Sequence, residues 1–338
     1  MTNRYDRQIR FDAFGEQGQN ALQRASVLVL GAGALGSAAS EMLVRAGVGE
    51  LRIVDRDVIE LSNLHRQQLY DEEDVARQLP KAIAAKSRLE AINSTVIIEA
   101  EMIDVTRHNI DSLLDGVTAV IDATDNIETR LLMNDATWKR NIPFFMGAGV
   151  ASYGITFPIG IRREEPCLHC LIDTLPSETG TCDTIGVISP TTISVAARQV
   201  TQLLKFLRLG DFQPKLQSFD LWKDEQASIQ VTALKRPNCP TCGEEATFPY
   251  LSGALETTSS VLCGRDTVQL SWPSNRDVHL PTIEQTLRKE THEVLRNNYL
   301  VSATLPEHRL VFFKDGRILV HGTGDERVAK NLIAQFFG

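Results

Sequence analysis

The chain has 338 residues, of which 43% are hydrophobic and 23% charged, and its formal net charge is −8 at pH 7. The length suits one large domain with a smaller one, or two medium-sized domains, and the composition is that of an ordinary water-soluble globular protein. The negative charge argues against a nucleic-acid-binding surface, and no stretch reaches the roughly eighteen apolar residues of a membrane span. Because the N-terminal segment is polar and resembles no export signal, we expect a cytoplasmic protein with no nucleic-acid or membrane partner.

Short apolar runs alternate with helical patterns in residues 1–150. Strands are predicted at residues 26–30, 50–57, 95–101, 118–123 and 142–150. Helices are predicted up to Ala46 and near residues 80–92, 107–114 and 128–141. This alternation is typical of an α/β fold with a doubly wound, Rossmann-like and mostly parallel sheet. We therefore expect residues 1–150 to form a nucleotide-binding part.

The pattern changes after Val150. Strands are predicted at residues 154–161, 218–224 and 227–234, a loop from Cys167 to about Pro190, and a long helix at residues 191–207. We expect residues 151–243 to continue the sheet with antiparallel strands. Residues 244–260 are polar and contain glycine, which predicts a linker. Residues 261–338 show a strand, a helix, a strand, a hairpin and a terminal helix, which predicts a small α+β module without a recognisable site motif.

The stretch GAGALG at residues 31–36 lies between the first strand and the first helix of the predicted βαβ unit. In such a fingerprint Gly31 permits the tight turn, Gly33 lets the backbone approach a phosphate, and Gly36 lets the helix pack against the strand. The free N–H groups and the positive dipole end of the helix then face the phosphate. Asp55, at the end of the second strand, is placed to bind a ribose hydroxyl. These features suit NAD, FAD and ATP equally.

Charged residues beyond the glycine loop favour ATP over a dinucleotide. The loop after Asp55 carries Asp57, Asn63, Arg66 and Gln67, and Lys81 and Lys86 follow on a predicted helix. A triphosphate that loses pyrophosphate needs cations where negative charge builds up, and Arg66 and Lys81 would supply them. Each lysine by itself fits a solvent-exposed helix face equally well. An NAD-dependent oxidoreductase would leave these cations unexplained.

Asp125 and Asn126 follow the fourth predicted strand, at the carboxyl edge of the sheet where ligands bind. A carboxylate at this place is a natural Mg²⁺ ligand. An aspartate there also fits a simple turn. The sequence therefore predicts a magnesium-dependent ATP site without excluding the structural alternative for this residue.

Four of the six cysteines form two C-x-x-C pairs, Cys167 with Cys170 and Cys239 with Cys242. Two such pairs predict a tetrahedral structural zinc site made of four thiolates. A redox-active pair or a set of buried free thiols would be the competing interpretation, but neither explains why two matched pairs stand at the two ends of one segment. The zinc site would tie those two ends together.

Motifs from residue 4 to about residue 243 resemble those of the ThiF/MoeB adenylyltransferases, the bacterial relatives of ubiquitin-activating enzymes. They are, in order, RYDRQIRF, GAGALGS, DRDVIELSNLHRQQL, PKA, DATDN, PCLHC, TCDTIGVISP and CPTC. The resemblance implies an enzyme that adenylates the C-terminal glycine of a small ubiquitin-like sulfur-carrier protein ending in Gly-Gly and releases pyrophosphate. It implies ATP, Mg²⁺ and Zn²⁺ as cofactors. It also implies that residues 1–243 form one adenylation domain, with the carrier and the zinc bound in residues 151–243.

The resemblance further implies roles for individual residues. Asp55 would bind the ribose, Arg66 and Lys81 the phosphates, and Asp125 the magnesium ion. The residues that would also line the ATP are Ala34, Asp57, Ser62, Asn63, Leu64, His65 and Asn126. Arg7 would reach into the active site of a partner subunit, which implies a homodimer.

Several points stay open at the level of sequence. The segment ARQLPK lacks the glycine turn usual before the family's lysine, so Lys86 competes with Lys81 for the phosphate role. Cys182 would accept the carrier's acyl group, as in the thiamin branch, or would be a small apolar loop residue, and Cys263 fits a buried strand thiol. TCDTIGVISP and the missing rhodanese tail favour the thiamin-thiazole branch over the molybdopterin branch. An activating enzyme for a peptide or tRNA-modification substrate and a scaffold without ATP chemistry also fit parts of the pattern.

Overall fold

A computed structural model of the chain describes residues 4–172, 185–255, 266–272 and 278–337. The chain divides into two compact units, Met1–Glu256 and Thr257–Gly338. Within the described ranges, no helix is both long and apolar enough to cross a membrane.

The first unit contains eight strands and ten α-helices among its described residues. The strands are β1 (Ser26–Leu30), β2 (Glu50–Val54), β3 (Ile97–Glu101), β4 (Ala119–Asp122), β5 (Phe144–Val150), β6 (Tyr153–Ile159), β7 (Leu216–Asp220) and β8 (Glu225–Ile229). The helices are α1 (Asp6–Ile9), α2 (Gly15–Arg24), α3 (Ala34–Ala46), α4 (Glu72–Ala76), α5 (Lys81–Ile92), α6 (Ile110–Leu113), α7 (Ile127–Arg140), α8 (Leu168–Ile172), α9 (Ser189–Leu209) and α10 (Pro249–Ser252).

The eight strands form one sheet in the order β3-β2-β1-β4-β5-β6-β7-β8. Strands β1 to β5 pair in parallel, and β5 to β8 pair antiparallel. The predicted α/β class, with a doubly wound sheet that continues into an antiparallel part, is confirmed. The chain order reverses between β1 and β4, and ligands bind at such a reversal, outside the carboxyl ends of the strands.

The central strand β1 is buried on both faces of the sheet and supplies apolar side chains to each. Val27 and Val29 belong to the core shared with α2, α3, α5 and α9, whereas Leu28 and Leu30 belong to the core shared with α6, α7 and α8. Helix α3 ends at Gly47, whose φ of 86° is left-handed and stops the helix. The two cores fix the carboxyl ends of β1, β2 and β4 beside one another.

The structure refines two segments. The loop predicted from Cys167 opens with the short helix α8. In the segment predicted as a linker, the residues up to Leu255 contain α10, which packs against α7. The boundary between the two compact units falls at Glu256, inside that segment.

The second unit is an antiparallel sheet against which helices pack. Its strands are β9 (Thr267–Ser271), β10 (Val294–Arg296), β11 (Leu300–Thr304), β12 (Arg309–Phe313) and β13 (Arg317–His321), and its helices are α11 (Leu280–Leu287) and α12 (Glu326–Phe337). All four strand pairs are antiparallel, in the order β10-β11-β12-β13-β9. Leu280 and Ile283 of α11 and Ala329 of α12 are buried in its core. The α+β character predicted for this module is confirmed.

Candidate functional site

The glycine loop lies at the ends of β1 and β4, and two of its three glycines leave no room for a side chain. Gly31 has a φ of 93°, and a Cβ there would stand 2.6 Å from the carbonyl oxygen of Ala123, in the turn after β4. A Cβ on Gly36 would stand 1.8 Å from the carbonyl oxygen of Gly31. Gly33 precedes α3 and offers no side chain to cap it, so the first N–H groups of α3 stay available for a phosphate. The loop fits the cradle that a bound nucleotide requires.

Asp55 is anchored beside the glycine loop. Its Oδ2 accepts a hydrogen bond from the N–H of Ala32 at 2.6 Å, and its Oδ1 accepts one from the N–H of Asp57 at 2.7 Å. Burial raises the pKa of the Asp55 carboxyl, and the positive charge of Lys81 opposes that rise. The Tyr70 hydroxyl, which the sequence did not single out, donates to the carbonyl oxygen of Ala32 at 2.7 Å. The turn and the aspartate therefore form one hydrogen-bonded unit.

Lys81, the first residue of α5, lies in this unit. Its Nζ is 2.9 Å from Oδ2 of Asp57, and only 6% of its side chain is exposed. Lys86 lies farther along the same helix, where its Nζ is 3.7 Å from Glu90 and 40% of its side chain is exposed. The structure thus brings Lys81, but not Lys86, into contact with Asp57, which follows β2.

The segment from Ser62 to Gln67 lies beside the glycine loop. The carboxamide oxygen of Asn63 accepts a hydrogen bond from the N–H of Glu60 at 3.1 Å, which fixes the preceding turn. Arg66 Nη1 donates to the carbonyl oxygen of Ser62 at 2.8 Å. The side chain of Gln67 is buried, and its Nε2 lies 3.9 Å from the position that a Cβ on Gly33 would take. Leu64 is half-buried and His65 is exposed.

Asp125 and Asn126 stand at the same sheet edge, after β4. The Asn126 side chain caps α7 by accepting hydrogen bonds from the N–H groups of Glu128 at 2.8 Å and Thr129 at 3.3 Å. Asp125 is exposed, and its negative charge helps to raise the pKa of Arg56. An exposed carboxylate beside the glycine loop is compatible with a magnesium ligand. The sequence did not single out Arg56.

Arg7 lies on α1, away from the glycine loop. Gln8 Nε2 donates to the carbonyl oxygen of Ala46 at 3.0 Å, and the Tyr5 ring occupies the space that a Cβ on Gly47 would need. These contacts hold α1 at the C-terminal end of α3, whereas the glycine loop is at its N-terminal end. The 13 residues of α3 separate the two ends by about 20 Å, at 1.5 Å per residue. The structure does not bring Arg7 to the glycine loop of its own chain.

The four cysteines of the predicted zinc site come together. Their Sγ atoms lie within 4.8 Å of one another, and all four residues are buried. The Sγ atoms of Cys167 and Cys239 are 3.6 Å apart, and those of Cys170 and Cys242 are 3.4 Å apart. Thiolates around a tetrahedral zinc ion, with Zn–S bonds of about 2.3 Å, stand roughly 3.8 Å from one another, so the spacing fits zinc.

A buried aspartate joins the cysteine cluster to α7. Asp135 Oδ1 accepts a hydrogen bond from the Thr241 hydroxyl at 2.5 Å, and its Oδ2 accepts one from the N–H of Tyr250 at 2.9 Å. Burial raises the pKa of the Asp135 carboxyl, and these two hydrogen bonds oppose the rise. The cysteine cluster and α10 are thereby held against the helix that begins at the nucleotide site. Cys182 and Cys263 lie outside the described residues.

The fold and the site define a Rossmann-type nucleotide-binding protein with a four-thiolate cluster. The chain belongs to the ThiF family, whose sequence profile matches residues 5–241. It is 47% identical, over the whole length of both chains, to the sulfur carrier protein ThiS adenylyltransferase of Bacillus subtilis. It is 37% identical to the sulfur carrier protein adenylyltransferase of Thermus thermophilus, over 72% of this chain and 92% of that protein.

Two further comparisons concern more distant proteins. The molybdopterin-synthase adenylyltransferase of Salmonella typhimurium is 32% identical over 71% of this chain and 96% of its own length. The crystal structure of E. coli MccB with MccA-N7isoASN matches with a TM-score of 0.62 at 20% identity, over 72% of this chain and 75% of that chain. At that identity, the second similarity concerns the fold alone.

Proposed function

We propose that this protein adenylates the C-terminal glycine carboxylate of a ThiS-type sulfur-carrier protein, with release of pyrophosphate, in the thiazole branch of thiamin biosynthesis. The observation that carries the proposal is the 47% identity to the Bacillus ThiS adenylyltransferase, which extends over 100% of both chains and so includes the second unit. The ATP requirement makes the cytoplasm the expected compartment.

In the proposed reaction, a carboxylate oxygen of the carrier's last glycine attacks the α-phosphorus of ATP. One C–O–P bond forms, the bond between the α-phosphorus and the bridging oxygen breaks, and pyrophosphate leaves with its electron pair. No general base is needed, because the glycine carboxylate is already ionised at neutral pH. The chemical difficulty is the approach of one anion to another, so the site must supply positive charge and alignment.

The residues at the edge of the sheet suit these tasks. Asp55 would accept a hydrogen bond from the ribose, and the N–H groups at the start of α3 would face the phosphates. Lys81 and Arg66 would stabilise the charge that builds up on the departing pyrophosphate. Asp125 would hold a magnesium ion, which supplies charge neutralisation when bound. The contact of Lys81 with Asp57 at 2.9 Å supports Lys81 over Lys86 for this role.

We propose that Arg7 completes the active site of a second copy of the chain in a homodimer. The distance of about 20 Å along α3 argues against a role in its own site, and Arg7 is exposed. Mixing Arg7→Ala with Asp125→Ala tests this directly. Each variant alone should be inactive, and the mixture should regain about a quarter of wild-type activity, because half of randomly formed dimers contain one intact site. A mixture that stays inactive, although mixed dimers form, contradicts the proposal.

The four thiolates would hold zinc as a structural ion, since all four positions are filled by cysteine and none is left for a substrate. Cys182 would act after adenylation. Its thiolate would attack the carbonyl carbon of the acyl-adenylate, a thioester would form, and AMP would leave. A cysteine thiol is a stronger nucleophile than a serine hydroxyl, because a few per cent of an ordinary cysteine is thiolate near pH 7.

Carrier-dependent ATP–pyrophosphate exchange tests the proposed function. We expect exchange with a ThiS-type carrier ending in Gly-Gly and none without a carrier. Exchange with a molybdopterin-synthase carrier alone would assign the protein to the activity named for its Salmonella relative. Absence of exchange with either carrier would refute the proposal.

A further inference from the structure

Strands β4 and β5 separate close to the nucleotide site. They are paired only at Val120 with Phe144 and at Ile121 with Phe145. Beyond that point Gln199 of α9 bridges the strands from one face of the sheet. Its Nε2 donates to the carbonyl oxygens of Asp122 at 2.7 Å and Phe145 at 2.8 Å. A side chain thus replaces the backbone hydrogen bonds that the separated strands no longer make.

Arg130 of α7 makes a second bridge from the opposite face. Its Nε lies 2.6 Å from Oδ2 of Asp122, and its side chain is only 12% exposed. Its Nη2 donates to the carbonyl oxygen of Thr124 at 2.5 Å and to that of Gly147, in β5, at 3.1 Å. One guanidinium therefore holds the end of β4, the turn that follows it and β5. Burial raises the pKa of Asp122, and the charge of Arg130 opposes the rise.

The turn that Arg130 holds carries Asp125. On the N-terminal side, Oδ1 of Asp122 accepts hydrogen bonds from the N–H of Thr124 at 3.0 Å and from its hydroxyl at 2.7 Å. On the C-terminal side, Asn126 caps α7. Asp125 itself accepts no hydrogen bond from any residue in the described ranges, so its position depends on the fixed residues on either side.

We infer that Arg130 is a positioning residue that holds the turn at Thr124 so that the Asp125 carboxylate faces the nucleotide-bound metal ion. This inference rests on the proposed role of Asp125 in the adenylation reaction. Arg130 acts through two backbone carbonyl groups, which its Nη2 bridges while its Nε lies beside Asp122. A lysine ammonium would have to make all three contacts from one nitrogen, without the fixed fork of a guanidinium.

Three variants separate positioning from general stability. Arg130→Ala removes every contact but leaves Asp122 buried without a counter-charge, so we expect a lower yield of folded protein. Arg130→Lys keeps a positive charge but has one nitrogen in place of the separate Nε and Nη2 that contact Asp122 and the two carbonyl oxygens. Arg140→Ala is the control, because Arg140 lies on the same helix and pairs with two aspartates at the opposite end, at 2.9 and 2.8 Å.

The measurement is the affinity for the Mn²⁺ complex of α,β-methylene-ATP, read by isothermal titration calorimetry and compared with the affinity for the metal-free nucleotide. We expect Arg130→Ala to bind the Mn²⁺ complex about tenfold or more weakly than wild type, as for other residues that orient a metal ligand. Arg130→Lys should also bind more weakly, and Arg140→Ala should bind like wild type. If Arg130→Ala does not fold, Arg130→Lys decides the test.

The inference would be overturned if folded Arg130→Lys bound the Mn²⁺ complex with wild-type affinity. It would also be overturned if folded Arg130→Ala showed a lowered melting temperature but wild-type affinity for the Mn²⁺ complex. A merely structural role of Arg130 predicts these results. The measurement needs no carrier protein. Failure of carrier-dependent exchange in the wild type would therefore refute the proposed function without touching this result.

Discussion

Replacing Lys81 by methionine is expected to impair catalysis much more than it impairs folding. The substitution keeps the length of the side chain and removes the charge that lies 2.9 Å from Asp57. Asp57 then keeps only the more distant cation Arg56, whose Nε lies 3.9 Å from its Oδ1, and the pyrophosphate loses one of the two cations proposed to stabilise it. Loss of one preorganised electrostatic contact to developing charge costs about 3–4 kcal/mol in the transition state, or roughly 10²–10³-fold in kcat.

The effect of Lys81→Met on stability should be smaller. Breaking a fully buried ion pair costs about 3–5 kcal/mol, but 30% of the Asp57 side chain is exposed, so we expect a loss of about 2 kcal/mol in the free energy of unfolding. A domain with a typical stability of about 5–15 kcal/mol stays folded after such a loss. Thermal unfolding monitored by circular dichroism would establish this.

Lys86→Met is the matched control. It makes the same substitution five positions along the same helix, where the side chain is 40% exposed and pairs only loosely with Glu90. Carrier-dependent ATP–pyrophosphate exchange should fall roughly 10²–10³-fold in Lys81→Met and stay near wild type in Lys86→Met. An equal loss in both variants, or a larger loss in Lys86→Met, would refute the reasoning.

Three further predictions concern the aspartate, the cysteine cluster and the loop thiol. Lowering the pH should weaken ATP binding as Asp55 is protonated. Burial raises the pKa of Asp55 and the charge of Lys81 opposes that rise, so the loss of binding should begin at a higher pH in Lys81→Met. Superimposable pH profiles from a fluorescent ATP analogue would contradict this. Elemental analysis should find about one zinc per chain, which Cys239→Ser combined with Cys242→Ser should remove; retained zinc would exclude the four-thiolate site. Cys182→Ser should keep normal ATP–pyrophosphate exchange but form no thiol-cleavable conjugate with the carrier and support little sulfur transfer. Full sulfur transfer, with no conjugate in the wild type either, would return Cys182 to a structural role.

Much of the fold could be predicted because its elements have local signals. The apolar run of β1, the glycine loop and the left-handed stop at Gly47 are all legible within a few residues of sequence. The cysteine cluster was also predictable, although 72 residues separate Cys167 from Cys239, because two matched C-x-x-C pairs have few other uses.

Other features were hidden because they depend on tertiary contacts. Arg130 follows the DATDN motif by four residues. In the sequence it looks like an ordinary charged residue on the exposed face of a helix. Its function as a bridge follows from the separation of β4 and β5, which no local pattern encodes. The same holds for Gln199, which meets β4 from a helix more than seventy residues away in sequence. The polar residues of segment 244–260 indicated a linker. In the structure, the carboxylate of Asp135 accepts a hydrogen bond from the N–H of Tyr250 and so holds α10 against α7.

The most direct test of the central claim is the intact mass of the carrier after incubation with this protein, ATP and Mg²⁺. A ThiS-type carrier ending in Gly-Gly should gain the mass of one adenylyl group at its last glycine, and added pyrophosphate should reverse the gain. A carrier shortened by that glycine should stay unmodified. ATP consumption with an unmodified full-length carrier, or adenylylation at any other residue, would contradict the account.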